Sequence, residues 1–330
     1  MSDIARRVGL SRSAVSFALN NENQVSEETR LRVVAAAAEL GYRPNASARS
    51  LASSSTELFG LVTDIVTTPF AGDLIAGAQD AFWSKGKSLL IVGTDHPDRP
   101  EKRSLEMMLE HRVGGIMVAT TYNRPIKVPK ALDGTSVILV HCFDAAGLRP
   151  SVVPDEELGG YTATKMLLDA GRRSLGMINL DPDLPAARGR HEGYLRALGE
   201  LGIQPRPSVV VSAGADADGG YEAAKQLLST QRLDGLFCAN DRLAMGAYQA
   251  AGELGLSIPQ DISVVGFDNQ EVIARFLRPA LSTVALPFRE MGRIGAELLM
   301  QSEAEPAHPE DGRPVAQVVV PPPPVPRASI

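Results

Sequence analysis

Cysteine is scarce in this sequence: 330 residues contain only two, Cys142 and Cys238, which stand far apart. Neither belongs to a Cys-x-x-Cys spacing, so the pattern of a cysteine zinc site or a redox pair is missing. Each cysteine ends an apolar run that is typical of a buried strand. We therefore expect two reduced core thiols and a cytoplasmic protein.

Long apolar segments are also missing. No run approaches the ~18 apolar residues of a membrane-spanning helix. The hydrophobic fraction of 44% and the charged fraction of 22% are those of an ordinary globular protein. The amino end opens on Ser2-Asp3 without a basic-then-apolar signal sequence. We expect neither export nor a membrane partner.

The motifs of common enzyme classes are absent. The sequence has no P-loop, no Gly-x-Gly-x-x-Gly after a strand, no His-Glu-x-x-His and no Gly-x-Ser-x-Gly elbow. His141 and Cys142 resemble a catalytic pair, but adjacent residues of a strand point to opposite faces, so a structural role is favoured. The sequence therefore predicts no catalytic residue, no metal, no cofactor and no enzyme activity.

An overall positive charge, common in nucleic-acid-binding proteins, is missing as well, since the net charge is −6. The average hides an asymmetry. Residues 1–56 hold seven arginines against five acidic residues, a net charge of +2, which leaves −8 on the remainder. A weakly basic head on an acidic body fits DNA contact confined to the head. Because +2 is little charge for DNA binding, two heads would have to act together, which implies a dimer.

Residues 1–44 have the spacing of a helix-turn-helix. Ala5 is small enough for the second helix to approach the first, Gly9 suits a sharp turn with positive φ, and Val15 points into the small core. Ser11 is a natural N-cap for the second helix, which runs to about Asn20. The alternative is an ordinary helical hairpin that happens to contain Gly9. The second helix would show Arg12, Ser13, Ser16 and Phe17 outward, towards a DNA groove.

A third helix follows a polar loop. Ser26 caps it, Gly41 ends it, and we expect Leu31, Val34 and Ala38 to form its buried stripe. Residues 45–56 come next: Asn45 is a possible cap of a short helix whose small apolar face contains Ala46, Ala48, Leu51 and Ala52. One to two turns do not hold alone in water, so we expect order here only against a partner.

From residue 57 onward, apolar β-runs alternate with amphipathic helical stretches. This pattern is typical of parallel sheets covered on both faces. About ten strands are too many for the usual single sheet, so the sequence predicts two similar lobes. We place them roughly at 57–154 with 283–314 and at 155–282 with 315–330. Pro321–Pro324 cannot donate ladder hydrogen bonds and is expected at an edge or a crossing.

Polar side chains at the ends of these strands are candidates for a ligand site, because parallel sheets bind ligands at the carboxyl ends of their strands. Asp268 follows the run Ile262–Phe267, and its carboxylate suits two neighbouring hydroxyls of a sugar. Asn240 and Asp241 follow the run Gly235–Cys238, and Asp155 follows Pro154. The alternative for Asp155 and Asp241 is that each only caps the next helix.

The chain resembles the LacI/GalR family of bacterial transcriptional regulators over essentially its whole length. The resemblance is carried by the following segments: Asp3-Ile-Ala-Arg-Arg-Val-Gly-Leu-Ser-Arg-Ser-Ala-Val-Ser, Val25-Ser-Glu-Glu-Thr-Arg30, Glu39-Leu-Gly-Tyr-Arg-Pro-Asn-Ala-Ser-Ala-Arg-Ser-Leu51, Thr68-Pro-Phe70, Gly193-Tyr194, Ala239-Asn-Asp241, Ala244-Met-Gly246 and Val264-Val-Gly-Phe-Asp-Asn269. It implies an all-α helix-turn-helix head (1–44), a hinge helix and linker (45–56) and a two-lobed α/β effector and dimerisation domain (57–330) similar to periplasmic sugar-binding proteins. It also implies a homodimer on a pseudopalindromic, double-stranded DNA operator.

The resemblance assigns roles to individual residues. Leu51 matches the hinge residue that wedges into the minor groove, where unstacking a base step bends the duplex. Arg188 opens Arg-Gly-Arg-His-Glu-Gly-Tyr194 and matches the family position whose guanidinium binds ligand hydroxyls, whereas Arg190 is expected to be a supporting or surface residue. The full DNA-binding set is Ser11, Arg12, Ser13, Ser16, Phe17, Asn20, Asn45, Ala48 and Leu51. The full effector-binding set is Phe70, which would stack on the ligand, with Asp155, Arg188, Asn240, Asp241 and Asp268.

Two features depart from the family pattern. The family usually has an arginine that reads a guanine where this chain has Phe17, which at most packs on a thymine methyl. Only Met1 and Ser2 precede the residue matching Asp3, so the true start is expected upstream, or else the first helix frays. With a free-standing solute-binding protein as the alternative, the sequence predicts a repressor controlled by a sugar or a related small metabolite.

Overall fold

The computed structural model describes residues 1–19, 24–42, 56–64, 71–94, 101–304 and 316–330. The chain divides into two compact units, Met1–Glu57 and Leu58–Ile330. Within the described ranges, every helix is too short or too polar to cross a membrane.

The first unit contains three helices: α1 (Ser2–Val8), α2 (Arg12–Leu19) and α3 (Glu27–Glu39). Gly9 has φ 70°, which only a residue without Cβ adopts freely, and it ends α1 as the sequence predicts. The hydroxyl of Ser11 accepts the backbone N–H of Ala14 at 3.1 Å, so the predicted N-cap of α2 is confirmed. Ile4 and Val15 are fully buried in the small core between the helices.

The predicted buried stripe of α3 is wrong. Leu31 and Val34 are exposed, at 61% and 49%, and the buried side chains are Val33, Ala36 and Ala37. Helix α3 carries two apolar stripes, and periodicity alone does not choose between them. The stripe with two alanines packs inward because their short side chains let α3 approach α1 and α2 closely.

The second unit is an α/β fold. Its helices are α4 (Ala71–Trp83), α5 (Glu101–Glu110), α6 (Glu156–Asp169), α7 (Pro185–Glu200), α8 (Ala217–Thr230), α9 (Asp241–Glu253), α10 (Glu271–Ala274) and α11 (Phe288–Ala304). Its strands are β1 (Leu58–Thr63), β2 (Ser88–Gly93), β3 (Ile116–Ala119), β4 (Pro125–Ile126), β5 (Val137–Val140), β6 (Phe143–Asp144), β7 (Ser151–Pro154), β8 (Leu175–Asn179), β9 (Val210–Ser212), β10 (Gly235–Cys238), β11 (Ser263–Asp268), β12 (Ser282–Ala285), β13 (Gln317–Val320) and β14 (Pro324–Val325).

Two six-stranded sheets define the two lobes. The first has the order β13-β7-β5-β3-β1-β2 and the second β14-β12-β11-β10-β8-β9, with a separate two-stranded pair β4-β6. Every pairing in the first sheet is parallel, and in the second only β12 with β14 is antiparallel. The two lobes therefore share one strand order, although the sequence shows no strong repeat. Both cysteines are buried and free, as expected.

The chain crosses between the lobes at different residues from those predicted. Strand β12 (Ser282–Ala285) lies in the second sheet, whereas we expected residues 283–314 in the first lobe. Strand β13 (Gln317–Val320) lies in the first sheet, whereas we expected it in the second. The crossings follow β7, β12 and β13, and short apolar strands on either side of them look alike in sequence. The prolines from Pro321 lie at the last crossing, where a missing N–H costs no ladder bond.

Helices α6 and α7 pack at backbone distance because two glycines meet there. A Cβ at Gly160 would lie 2.1 Å from the carbonyl oxygen of Arg190, and one at Gly193 would lie 2.0 Å from that of Glu157. No other residue fits at either position. This close contact brings Arg190 on α7 beside Glu156 at the start of α6.

Candidate effector cleft and DNA-binding face

A cavity lies between the two lobes of the second unit. Its lining comes from the carboxyl ends of strands in both sheets, as expected for ligand sites of parallel sheets. From the first lobe come Thr121, Tyr122, Asn123 and His141; from the second come Leu180, Ala186, Arg190, Asn240, Arg242 and Asp268; and Leu286 lies on a crossing segment.

Arg190 is the central cation of this cleft. It is buried, and its Nε donates to the Oε2 of Glu156 at 2.8 Å. Its Nη1 donates to the carbonyl oxygen of Ala239 and lies 3.9 Å from the Oδ1 of Asp268. The guanidinium also lies 3.7 Å from the ring centre of Phe267, a cation–π contact. These contacts fix the guanidinium in place before any ligand arrives.

Asp268 ends β11 in an unusual backbone conformation. Its φ is 98°, which non-glycine residues rarely adopt and which is found at sites where neighbours hold the strain. The Nε2 of Gln270 donates to its Oδ2 at 3.3 Å. Burial raises the pKa of the Asp268 carboxyl to about 7, against the opposing effect of Arg190. Near neutral pH the Asp268 carboxyl therefore exchanges between a protonated form, which can donate a hydrogen bond, and an ionised form, which only accepts hydrogen bonds.

Unpartnered polar atoms are concentrated at this cleft. Among the described residues, four buried side-chain atoms lack a hydrogen-bond partner. Three of them, the Oδ1 of Asn123, the Nε2 of His141 and the Nε of Arg242, belong to residues that line the cavity. The fourth is the Oε1 of Glu156, the ion-pair partner of Arg190. Buried polar groups are normally paired, so this concentration indicates a site that a polar ligand completes.

His141 is part of this site, although the sequence favoured a structural role. It follows β5 with φ 57°, and its Nδ1 hydrogen-bonds the carbonyl oxygen of Thr120 at 2.9 Å. The pKa of its imidazole is lowered because burial disfavours the charged ring. A neutral ring whose Nδ1 carries the proton leaves Nε2 free to accept a hydrogen bond from a ligand.

Arg188 does not reach the cleft. It is exposed, and its Nη1 donates to the carbonyl oxygens of Pro182 and Asp183 at 3.1 and 2.9 Å. Arg190, two residues later, lines the cavity instead. The sequence contained a signal for this: Arg190 interrupts the apolar stripe of Ala187, Tyr194 and Ala197 at helical spacing, so it faces inward.

The other predicted effector residues divide between the cleft and helix caps. Asp155 caps α6, since its Oδ1 accepts the N–H of Leu158 at 2.8 Å, and it is not among the lining residues. Asn240 lines the cavity and also caps α9. Asp241 is fully buried and is not among the lining residues; it accepts the N–H of Gln270 at 2.6 Å and the hydroxyl of Thr283 at 2.7 Å. Phe70 lies outside the described residues.

Sequence reasoning missed several residues of the cleft. Thr121, Tyr122 and Asn123 follow β3, and the strand-end rule that identified Asp268 would have identified them too. Arg242, Leu180, Ala186 and Leu286 had no comparable signal.

The predicted DNA-binding residues that the structure describes lie on α2 and its N-cap. Ser11, Arg12 and Ser13 are exposed, and Ser16 and Phe17 are half-buried. The face opposite Val15 thus presents one cation, hydroxyls and one aromatic ring. The predicted contacts Asn20, Asn45, Ala48 and Leu51 lie outside the described residues.

Comparison with known proteins agrees with both units. Residues 1–45 match the model of bacterial regulatory proteins of the lacI family, and residues 164–330 match a periplasmic binding protein-like domain. The chain is similar to the ribose operon repressor of Haemophilus influenzae, 34% identical over 303 residues that cover 91% of each chain. It is also similar to the transcriptional repressor PurR of Serratia proteamaculans, 33% identical over 305 residues, covering 91% of this chain and 89% of that protein.

Comparison with solved structures agrees with the comparison of sequences. A crystal structure of the Lac repressor dimer bound to operator and the anti-inducer ONPF superimposes with a TM-score of 0.81. That match is 26% identical and covers 99% of this chain and 97% of the other. The predicted fold class, a helix-turn-helix head with a two-lobed α/β domain, is confirmed. The chain belongs to the lacI family of bacterial regulatory proteins.

Proposed function

We propose that this protein is a transcriptional repressor whose affinity for operator DNA is set by a sugar, or a related small polar metabolite, bound in the cleft between its lobes. The observation that carries the effector part is the concentration of unpartnered buried polar atoms around Arg190 and Asp268. The family membership supports the DNA-binding part.

The chemistry of the cleft favours a neutral polyol. A sugar hydroxyl both donates and accepts, and the lining supplies both kinds of group: Arg190 and Arg242 donate, while Asn123, His141 and Asp268 offer acceptors. The relative from Haemophilus influenzae is named a ribose operon repressor, which agrees with this class.

We assign residues 1–44 to the DNA-binding head, 45–56 to the hinge and 57–330 to the effector and dimerisation domain. Arg12, Ser13 and Ser16 would contact bases or phosphates in the major groove, and Leu51 would enter the minor groove. A head with a net charge of +2 binds weakly alone, so we infer a homodimer on a pseudopalindromic operator. A regulator of this kind works in the cytoplasm, without catalytic activity of its own.

Allostery in this proposal is a difference in affinity. A ligand bound between the lobes stabilises one lobe arrangement over another, and it shifts operator binding only as far as it prefers that arrangement. The competing candidate, a free-standing solute-binding protein, shares the cleft but has no use for the head.

A gel-shift assay of the full-length protein on genomic fragments tests the DNA-binding part. We expect retention of specific fragments; a protein that retains none is not a repressor. Thermal-shift screening against sugars and nucleosides then tests the effector part. We expect stabilisation by at least one sugar, and stabilisation by nucleosides alone would contradict the effector class.

A further inference from the structure

Glu156 occupies a buried position at the first crossing between the lobes. It opens α6 directly after β7 and Asp155, and its side chain is only 6% exposed. One carboxylate oxygen, Oε2, accepts the Nε of Arg190 at 2.8 Å, and the other, Oε1, is buried without a partner among the described residues. The residue was not among those that the sequence identified.

This ion pair changes what the cleft can bind. Arg190 is the fully buried cation of the cleft, and two buried carboxyl groups, Glu156 and Asp268, already face it. The half-buried Arg242 adds one positive charge. A ligand phosphate or carboxylate would add a further negative charge beside buried carboxyl groups, where Arg190 is already paired.

A neutral ligand meets no such obstacle. Its hydroxyls donate to acceptors, and two atoms of the cavity lining, the Oδ1 of Asn123 and the Nε2 of His141, are acceptors without partners among the described residues. A carboxylate or phosphate of a ligand carries no proton near neutral pH that it could donate to them. The same arrangement therefore favours hydroxyl groups and disfavours anions.

We propose that Glu156 is a specificity-determining residue that restricts the cleft to uncharged effectors, because it holds the Arg190 guanidinium that an anionic ligand group would need. This inference rests on the proposed effector function and narrows it to neutral sugars, against sugar acids and sugar phosphates. Glu156 acts through Arg190 and so positions that side chain as well.

The test is calorimetric titration of the full-length protein with matched probes: neutral pentoses and hexoses, each with its uronic acid and its monophosphate. For wild type we expect binding of at least one neutral sugar, and at least tenfold weaker binding of its anionic partners. Glu156→Gln keeps an amide oxygen for the Nε of Arg190 but removes the charge. In this variant we expect the uronic acid to bind at least tenfold more tightly than to wild type, with the neutral sugar changed by less than threefold.

Two further variants separate specificity from folding. Glu157→Gln removes the same charge one residue later, from a half-exposed side chain that pairs with Arg196 at 2.5 Å, and should bind all probes like wild type. Glu156→Asp keeps the charge and should continue to reject anions. Thermal melting of each variant shows whether its effector domain is folded. If Glu156→Gln does not fold, the binding of the anionic probes by Glu156→Asp tests the proposal instead. A gain in anion binding by Glu156→Asp overturns the proposal.

Each remaining outcome decides one claim. Neutral binding without any gain of anion binding in Glu156→Gln overturns the role of Glu156 but leaves the effector function intact. Equal binding of neutral sugars and their acids by wild type also overturns the role of Glu156 and leaves the effector function intact. Wild-type binding of the anionic probes alone overturns this inference but leaves an effector site in place. Wild-type binding of none of the probes counts against the proposed sugar effector and removes the basis of this inference with it.

Discussion

Arg188 and Arg190 lie two positions apart on α7, yet they serve different partners. Arg188 donates to the loop carbonyls of Pro182 and Asp183, while Arg190 donates to the buried carboxylate of Glu156 at 2.8 Å. Two residues on a helix turn by roughly 200°, so they face opposite sides. Only one of the two arginines can face the cleft, and it is Arg190.

The two arginines give a matched pair of variants. Arg190→Met should abolish the effector response and lower the free energy of unfolding by about 3–5 kcal/mol, because it leaves buried carboxylates without their cation. Arg188→Met should change stability by less than about 0.5 kcal/mol and leave the response intact, since it alters an exposed side chain. Fluorescence anisotropy measures the operator affinity of each variant with and without effector, and urea unfolding measures its stability. A response lost in Arg188→Met and kept in Arg190→Met would reverse the assignment.

Asp268 supplies a second test of the cleft. Asp268→Ala should abolish the change in operator affinity that the effector causes, while operator affinity without effector stays within about threefold of wild type. The reason is that the carboxyl group lies in the cleft of the second unit and not on the DNA-binding face. Titration of the operator complex with the sugar found by screening checks it. Asp261→Ala, which alters an exposed residue outside the cavity lining, is the control. A normal response in Asp268→Ala would remove this residue from the site.

The raised pKa of Asp268 also predicts how stability depends on pH. The folded protein keeps the proton up to a pKa of about 7, whereas the unfolded chain releases it near the ordinary carboxyl pKa of 3.8. Between these values the folded state binds more protons, so the contribution of Asp268 to the free energy of unfolding falls as pH rises. Across that window the loss is on the order of 4 kcal/mol.

Asp268→Asn cannot ionise, so its free energy of unfolding should fall less steeply with pH than that of wild type. Burial also raises the pKa of Asp241, which keeps part of the slope in the variant. Urea unfolding followed by circular dichroism at pH 5, 6, 7 and 8 measures both slopes. Parallel curves would mean that the carboxyl of Asp268 titrates normally in the fold.

The sequence predicted those parts of the site that depend on strand order alone. Asp268 and Asn240 follow apolar runs, and parallel strands bring their carboxyl ends to one edge, so both line the cleft. The prediction failed where it had to decide which face of a helix is buried or which elements contact each other. Arg188 was preferred to Arg190, and Leu31 to Val33, because both helices offered more than one plausible face.

Contacts between distant elements had no signal in the sequence at all. Glu156 contacts Arg190, which lies 34 positions later in the sequence, because glycines let their two helices pack closely. The Nε2 of His141 lacks a partner because of how the backbone at the end of β5 orients the ring. The lobe crossings were misplaced for a similar reason. Strands β12 and β13 are both short and apolar, and only their hydrogen-bonded neighbours decide to which sheet each belongs.

Asp155 tests the distinction between a helix cap and a ligand contact. Its Oδ1 accepts the N–H of Leu158 at the start of α6, so Asp155→Ala should cost about 1 kcal/mol of stability. Asp155→Ser keeps a capping oxygen and should recover most of that loss. Effector affinity, measured by calorimetry, should stay within about threefold of wild type in both variants. A tenfold loss in both would return Asp155 to the ligand site.

Phe17 sets the expected base preference of the head. It is half-buried on α2, beside Arg12, Ser13 and Ser16, and it cannot donate a hydrogen bond to a base edge. An arginine at this position would bind the O6 and N7 of guanine, a contact that contributes about 1–3 kcal/mol to discrimination between bases.

Selection of binding sites from a random DNA pool tests this expectation. Wild type should show a weak or thymine-tolerant preference at the contacted position, and Phe17→Arg should select guanine strongly there. Because the substitution also adds a positive charge, Phe17→Lys and Phe17→Leu serve as controls for charge and for shape. A firm guanine selected by wild type would mean that another residue reads this base, and Arg12, the exposed cation on the same face, would be the first to substitute.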